Sequence, residues 1–281
     1  MKQIIVAIDF SKCSIHALEY AIQLSNTLKT NIIMVWVDSS RADESVLSPV
    51  DSSRKEITNS FDQLIEKYAS QLEHGQISYK IRKGKVHIEV ANQAKYSDAM
   101  MVIAGTHGVS GFEEFWIGSN AYRIVTYAPC PVITIRTSYD FRPNIDHIVV
   151  PIDSSLETRQ KIPFATKLSK YFNAEIHVLS LYTTSIQAVR QRVDNYSKQI
   201  TKYLDEENVK YTLEAVDVEN ITKSIIEYTK KVNGDIIAIM TEQETTTANL
   251  FLGAYAQQMV NHSPIPVLNI HAKEYIRIQS R

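Results

Sequence analysis

This 281-residue sequence predicts two tandem α/β domains, each a doubly wound, mainly parallel sheet flanked by helices. Three observations carry that expectation. The opening Ile4-Ile5-Val6-Ala7-Ile8-Asp9-Phe10-Ser11 returns past the midpoint as Ile148-Val149-Val150-Pro151-Ile152-Asp153-Ser154-Ser155. The closing Ala128-Pro129-Cys130-Pro131-Val132-Ile133-Thr134-Ile135 returns as Ser263-Pro264-Ile265-Pro266-Val267-Leu268-Asn269-Ile270, with Gly118 and Gly253 equally far ahead. Between these landmarks, apolar Ile/Val runs alternate with segments of helical spacing, the pattern of repeated βαβ units.

The elements follow in order. Residues 3–9, 31–37 and 100–104 are continuous apolar runs and read as strands buried on both faces, as a parallel sheet requires. Ala17, Ala21, Leu24 and Leu28 form one helical stripe, widened by Leu18 and Ile22, with Ser11 as its N-cap. A second helix is expected over Asp51–Leu72, a strand over Tyr79–Lys83, and a third helix over Val86–Lys95. The second copy repeats the plan, with strands near 146–152, 175–181, 209–216 and 235–240. There Ser154 and Glu157 have the spacing of a capping box. The copies are bounded as 1–137 and 146–281, joined by a short linker over 138–145 that is polar and broken by Pro143.

Composition narrows the function classes. Hydrophobic residues make up 44%, charged residues 22%, and the formal net charge is −1, so no electrostatic argument favours nucleic acid or an anionic membrane as partner. The apolar start is too short for a secretory signal, and no stretch approaches a membrane span. The expected compartment is the cytoplasm. Cys13 and Cys130 have neither metal-knuckle spacing nor a paired His, and both read as structural. No dedicated protein metal site is expected.

In a doubly wound sheet, ligands sit beyond the carboxyl ends of the strands where the winding reverses. That singles out Asp9 and the loop after the 100–104 strand. The loop runs Gly105-Thr106-His107-Gly108, then nine residues, then Gly118-Ser119 opening the helix that begins Asn120-Ala121-Tyr122. Glycines there permit close backbone approach and positive φ, consecutive N–H groups form an anion nest, and the helix N-terminus favours a phosphate. A tight turn ahead of a helix is the competing explanation of the same glycines. The motif lacks a Walker lysine and is not the dinucleotide fingerprint. Asp9 reads as a ligand contact or as a helix cap. His107 reads as a backbone contact before a general base, Glu113 and Glu114 as solvated charges, and Trp36 as core.

Gly105, Gly108, Gly118 and Ser119, with Val6-Ala7-Ile8-Asp9-Phe10-Ser11 and Pro129-Cys130-Pro131-Val132, resemble the universal stress protein family in its tandem form. The resemblance spans both halves. It implies a five-stranded sheet in each copy, of the adenine-nucleotide α-hydrolase-like type, and an internal pseudo-dimer through the 132–135 and 267–270 strands, with homodimerisation a further option. It also assigns roles. Ala7, Ile8 and Asp9 would face adenine and ribose, Val37 the adenine edge, and Ala104 the pocket wall. Gly105, His107, Gly108, Gly118, Ser119 and Asn120 would surround ribose and phosphates. The implied ligand is ATP, with ADP or AMP as variants, and Mg²⁺ held through the phosphates. The implied function is a stress-response regulator acting on an unknown protein partner. A slow ATPase, or an interaction module for another small ligand, is the alternative.

The second copy departs from the motif. Met240 and Gln243 stand where Gly105 and Gly108 do, Ala254 replaces Ser119, and Glu242 and Glu244 add negative charge. One ATP per chain is therefore expected, in the first half.

Overall fold

The computed structural model describes residues 1–40, 50–107, 117–241, 243–246 and 249–272. The chain divides into two compact units, Met1–Pro143 with Val260–Pro266, and Asn144–Met259 with Val267–Arg281.

In the first unit the apolar runs become strands β1 (Gln3–Ala7), β2 (Asn31–Asp38), β4 (Ala99–Gly105) and β5 (Val132–Ile135), with β3 (Ile77–Lys83) outside them. Their order is β3-β2-β1-β4-β5 and every neighbouring pair is parallel. The winding runs one way from β1 to β3 and the other way through β4, so the β1–β4 crevice is the switch point. The middles of β1 and β4 are completely buried, which is why their sequences are unbroken Ile, Val and Met. β3 lies at the edge and alternates partly buried with exposed residues.

Helices α1 (Lys12–Leu28), α2 (Val50–Tyr68), α3 (Val86–Tyr96) and α4 (Ser119–Tyr127) connect or follow these strands. The α1 stripe is buried as its spacing requires, from Ala17 and Leu18 through Ala21, Ile22 and Leu24 to Leu28. A leucine such as Leu24 contributes about 1.5–3 kcal/mol through such burial. Ser11 caps the helix, its hydroxyl accepting the Ser14 N–H at 3.2 Å. β1 ends at Ala7, two residues short of the expected strand, because Phe10 at φ 61° turns the chain sharply into α1. The segment after β5 folds back on α1: the Phe141 ring stacks on His16 at 4.3 Å, and Tyr139 meets Tyr20 edge-on.

The second unit repeats the sheet with β6 (His147–Ile152), β7 (Glu175–Tyr182), β8 (Tyr211–Asp217), β9 (Ile236–Thr241) and β12 (Val267–His271), in the order β12-β9-β6-β7-β8. These pairs too are parallel. Helices α5 (Ile162–Phe172), α6 (Gln187–Glu206), α7 (Ile221–Lys231) and α8 (Ala254–His262) complete the plan. Between β9 and α8 the backbone forms an antiparallel hairpin, β10 (Gln243–Thr246) with β11 (Asn249–Leu252).

The capping box expected at Ser154 and Glu157 does not start a helix. Asp153 draws the Ser155 N–H and hydroxyl onto its own carboxylate, and the chain then forms a 3₁₀ turn over Leu156–Arg159. The α-helix begins only at Ile162, with Pro163 in its first turn.

Candidate functional site

The loops at the carboxyl ends of β1, β2 and β4 enclose a cleft of about 510 Å³, bounded on its far side by the start of α4. Ten expected residues line it: Ala7, Ile8, Asp9, Val37, Ala104, Gly105, His107, Gly118, Ser119 and Asn120. Gly108, Glu113, Glu114 and Glu242 lie outside the described residues.

Asp9 organises the first wall. One carboxylate oxygen, Oδ1, accepts the Ser11 N–H at 3.0 Å, and the Asp9 N–H approaches the Ser14 hydroxyl at 3.3 Å. Ser11 therefore caps α1, while Asp9 closes the turn that presents the cap and leaves Oδ2 without a partner among the described residues. Asp153 in the second unit does the same with Ser155 N and Thr158 Oγ1, so this half of the repeat is preserved in geometry as well as sequence.

Gly105 has a reason to be glycine that differs from the expected one. Its φ is not positive; the positive-φ glycines among the described residues are Gly75 and Gly84. A Cβ on Gly105 would instead stand 2.7 Å from Cys13 Sγ and 2.8 Å from the Cys13 carbonyl oxygen. The missing side chain lets the first turn of α1 lie directly on the end of β4. Pairing identifies the equivalent position in the second unit. Gly105 faces Ile135 of β5, and Met240 faces Ile270 of β12, one strand in from the same edge. Met240 has the Cβ that Gly105 lacks, and there the α-helix starts at Ile162, nine residues after Asp153, whereas α1 starts at Lys12, three after Asp9.

α4 supplies the other wall. Its N-cap is Gly118, which has no side chain to satisfy the first N–H groups of the helix. These groups, from Ser119 onward, border the cleft, where the dipole favours an anion. The loop is closed at its base by Gly118 N–H donating to the Thr106 carbonyl at 2.7 Å. The His107 ring is held by a 2.8 Å contact between Nδ1 and Thr106 Oγ1, while its buried Nε2 has no hydrogen-bond partner among the described residues.

Several lining residues escaped the sequence reading: Ser14, Trp36, Asp38, Ser40 and Thr106. Trp36 is half-exposed on the cleft and not core, because it sits at the carboxyl end of β2 where the sheet gives way to the ligand edge. Asp38 accepts from the Ser40 hydroxyl and N–H, and these bonds, the hydroxyl first, hold its carboxyl below the ordinary range. The rule that ligands lie past strand ends, applied to β2 as it was to β1 and β4, would have found Trp36, Asp38 and Ser40.

The second unit carries a further surprise. Lys161, where the first repeat has Ala17, is 3% exposed, and its ammonium donates to the Thr158 carbonyl and hydroxyl at 2.8 and 3.1 Å. Burial pushes its pKa down to about 8, opposed by the nearby Asp153 carboxylate.

Fold and cleft thus define a class: a tandem doubly wound α/β protein in which one copy retains a glycine-bounded cleft at its switch point. The chain belongs to the universal stress protein family, whose model matches residues 1–136 and again 144–271. It is 26% identical over 145 residues to Universal stress protein YxiE of Bacillus subtilis (strain 168), covering 48% of this chain and 98% of that protein. The fold is shared with a universal stress protein from Archaeoglobus fulgidus DSM 4304, with a TM-score of 0.74 at 16% identity over 96% of this chain and 98% of the other. It is shared as well with a functionally unknown protein from Pseudomonas aeruginosa PAO1, with a TM-score of 0.67 at 15% identity over 97% and 93% of the two chains. No described helix is long and apolar enough to cross a membrane.

Proposed function

We propose that the chain is a cytoplasmic stress-response regulator that binds one adenine nucleotide, ATP with Mg²⁺ carried on its phosphates, in the cleft of the first unit. The observation that carries this reading is the convergence on one cleft of the uncapped α4 N-terminus, the unpartnered His107 Nε2 and the switch-point ends of β1 and β4. A volume of about 510 Å³ falls in the usual range for small-molecule sites, about 300–1,000 Å³. The phosphates would take the α4 N-terminus and His107, and the base and ribose the wall of Ala7, Asp9 and Val37. In the second unit Met240 replaces Gly105, and Gln243 and Ala254 stand where Gly108 and Ser119 do, which supports a stoichiometry of one. As a regulator, the protein would need a surface whose two states differ in ATP affinity.

Calorimetric titration of the purified chain with ATP and Mg²⁺ tests this reading. One site per chain is expected in the wild type and none in Gly118→Val, whose side chain crowds the phosphate position. No wild-type binding, or unchanged binding in a folded Gly118→Val variant, sinks it. Phosphate release above that of Gly118→Val would make the protein an ATPase instead of a binding switch.

A further inference from the structure

At the amino-terminal edge of the second sheet, the end remote from its strand-end loops, three ligand-type side chains face one another. His147 opens β6 and Glu175 opens β7, and the two residues are paired across the strands. His177 lies two residues further along β7, so it shares their face of the sheet. His147 Nδ1 is 2.9 Å from His177 Nε2, and Glu175 Oε2 is 4.0 and 3.8 Å from those two nitrogens.

The geometry points to a divalent transition-metal site of His147, Glu175 and His177, of the kind that takes Zn²⁺. A point equidistant from the three atoms lies about 2.1 Å from each, the length of a zinc bond to imidazole or carboxylate. Two imidazoles and one carboxylate form a borderline-soft set that selects zinc and its late first-row neighbours over Mg²⁺ or Ca²⁺. Among the described residues, these three form the one His/Cys/Asp/Glu group whose ligand atoms converge in this way.

The surroundings are built for the same task. His177 Nδ1 lies 2.7 Å from Thr212 Oγ1, and the Thr212 hydroxyl is also hydrogen-bonded to the Tyr228 phenol. With the His177 ring proton on Nδ1, donated to Thr212, the Nε2 lone pair is free for an ion, the orienting contact that ligating histidines characteristically make. His147 presents the Nδ1 lone pair when its own proton is on Nε2. The Tyr228 ring of α7 stands edge-on to His177, with centroids 6.4 Å apart. Lys231, 5.7 Å over the Tyr228 ring, is engaged by Glu214 at 2.7 and 2.8 Å. The His147 and Glu175 side chains are 34% and 33% exposed against 7% for His177, so an ion can enter from solvent and keep a water as fourth ligand.

The test uses the full chain, free of any histidine tag, stripped with a chelator and assayed without nucleotide. Zinc uptake is measured by competition with a chromophoric chelator, and Co²⁺ is added to follow visible d–d absorption. The expected result is one Zn²⁺ per chain and a cobalt spectrum of low coordination number. His147→Ala and Glu175→Gln change half-exposed residues; each is expected to weaken zinc at least tenfold and to abolish the cobalt bands, with far-UV dichroism unchanged. Failure of the wild type to take up stoichiometric zinc overturns the proposal. So does wild-type affinity retained in both variants, which would mean a surface histidine elsewhere holds the ion and the His147–His177 contact is only a structural hydrogen bond.

Discussion

Replacing Lys161 with methionine should make the protein more stable at neutral pH, and the gain should vanish in alkali. Lys161 is buried where the first repeat has the small apolar Ala17, and its pKa falls from 10.5 to about 8. Each tenfold change in proton affinity is worth about 1.4 kcal/mol, so burying the charged amine costs about 3 kcal/mol well below the folded pKa. Methionine matches its length and flexibility but loses the bonds to Thr158, at a cost of about 1 kcal/mol. The expected net gain at pH 7 is therefore about 2 kcal/mol. The sign of the pH dependence follows from linkage. Between about 8 and 10.5 the unfolded chain holds the Lys161 proton and the folded chain does not, so wild-type stability rises with pH through that window. The variant lacks this rise, and its advantage should shrink to near zero by about pH 9.5. Urea unfolding must be followed by far-UV dichroism, because both tryptophans, Trp36 and Trp116, belong to the first half. An advantage that stays constant from pH 7 to 9.5 would show that charge burial is not the cause. A variant less stable than wild type at both pH values would show that the Thr158 bonds and Asp153 outweigh desolvation.

Two further substitutions probe the first unit. Gly105→Ala places a Cβ within 3 Å of Cys13 Sγ and of its backbone carbonyl, so α1 must shift; a loss of about 1–3 kcal/mol in thermal unfolding is expected, together with weaker ATP binding. A stability within error of wild type would mean that α1 does not rest on β4 as described. Ser11→Ala removes the hydroxyl that accepts Ser14 N–H and should cost about 1 kcal/mol, whereas Ser11→Gly should cost only a few tenths. Equal losses for the two would argue that the cap is not made by the side chain.

The fold was legible because burial on both faces leaves a strong mark. β1, β2 and β4 must be apolar throughout, and the α1 stripe must follow helical spacing, so both patterns stand in the sequence. Boundaries were less legible, since Phe10 at positive φ ends β1 early and no propensity rule expects phenylalanine there. The late start of α5 goes with the Asp153 turn that takes up the Ser155 N–H and hydroxyl and leads into a 3₁₀ turn, which the capping-box spacing of Ser154 and Glu157 does not register. In the cleft, the residues legible in advance were those marked by glycine, by Asp or by the ends of β1 and β4, and those that the family resemblance supplied, Val37 of β2 among them. Trp36 and Asp38 carry no such mark, since an apolar run shows β2 to be a strand without showing which of its last residues face the cleft. Lys161 was within reach of the repeat alone: aligned on Asp9 and Asp153, it falls at the buried Ala17 position, an unlikely place for an unpaired charge. The His147, Glu175 and His177 group had almost no local signature. Its members come from two strands that become neighbours only through the sheet, and Glu175-Ile176-His177 is an unremarkable alternation until β6 supplies the third ligand.

Gly105 also bears on how a duplicated chain can change. One absent methyl group seats α1 on the end of β4, at a residue that also lines the cleft. A copy that gains a side chain there therefore alters helix and loop together. In the second unit the helix start has retreated and a lysine has entered the vacated stripe. Returning glycine to position 240 would now leave a void and not a cleft, since none of those later adjustments would reverse with it. The divergence works as a ratchet: a single residue can open the path, but no single residue leads back, and the two halves of the chain are free to be selected for different ligands.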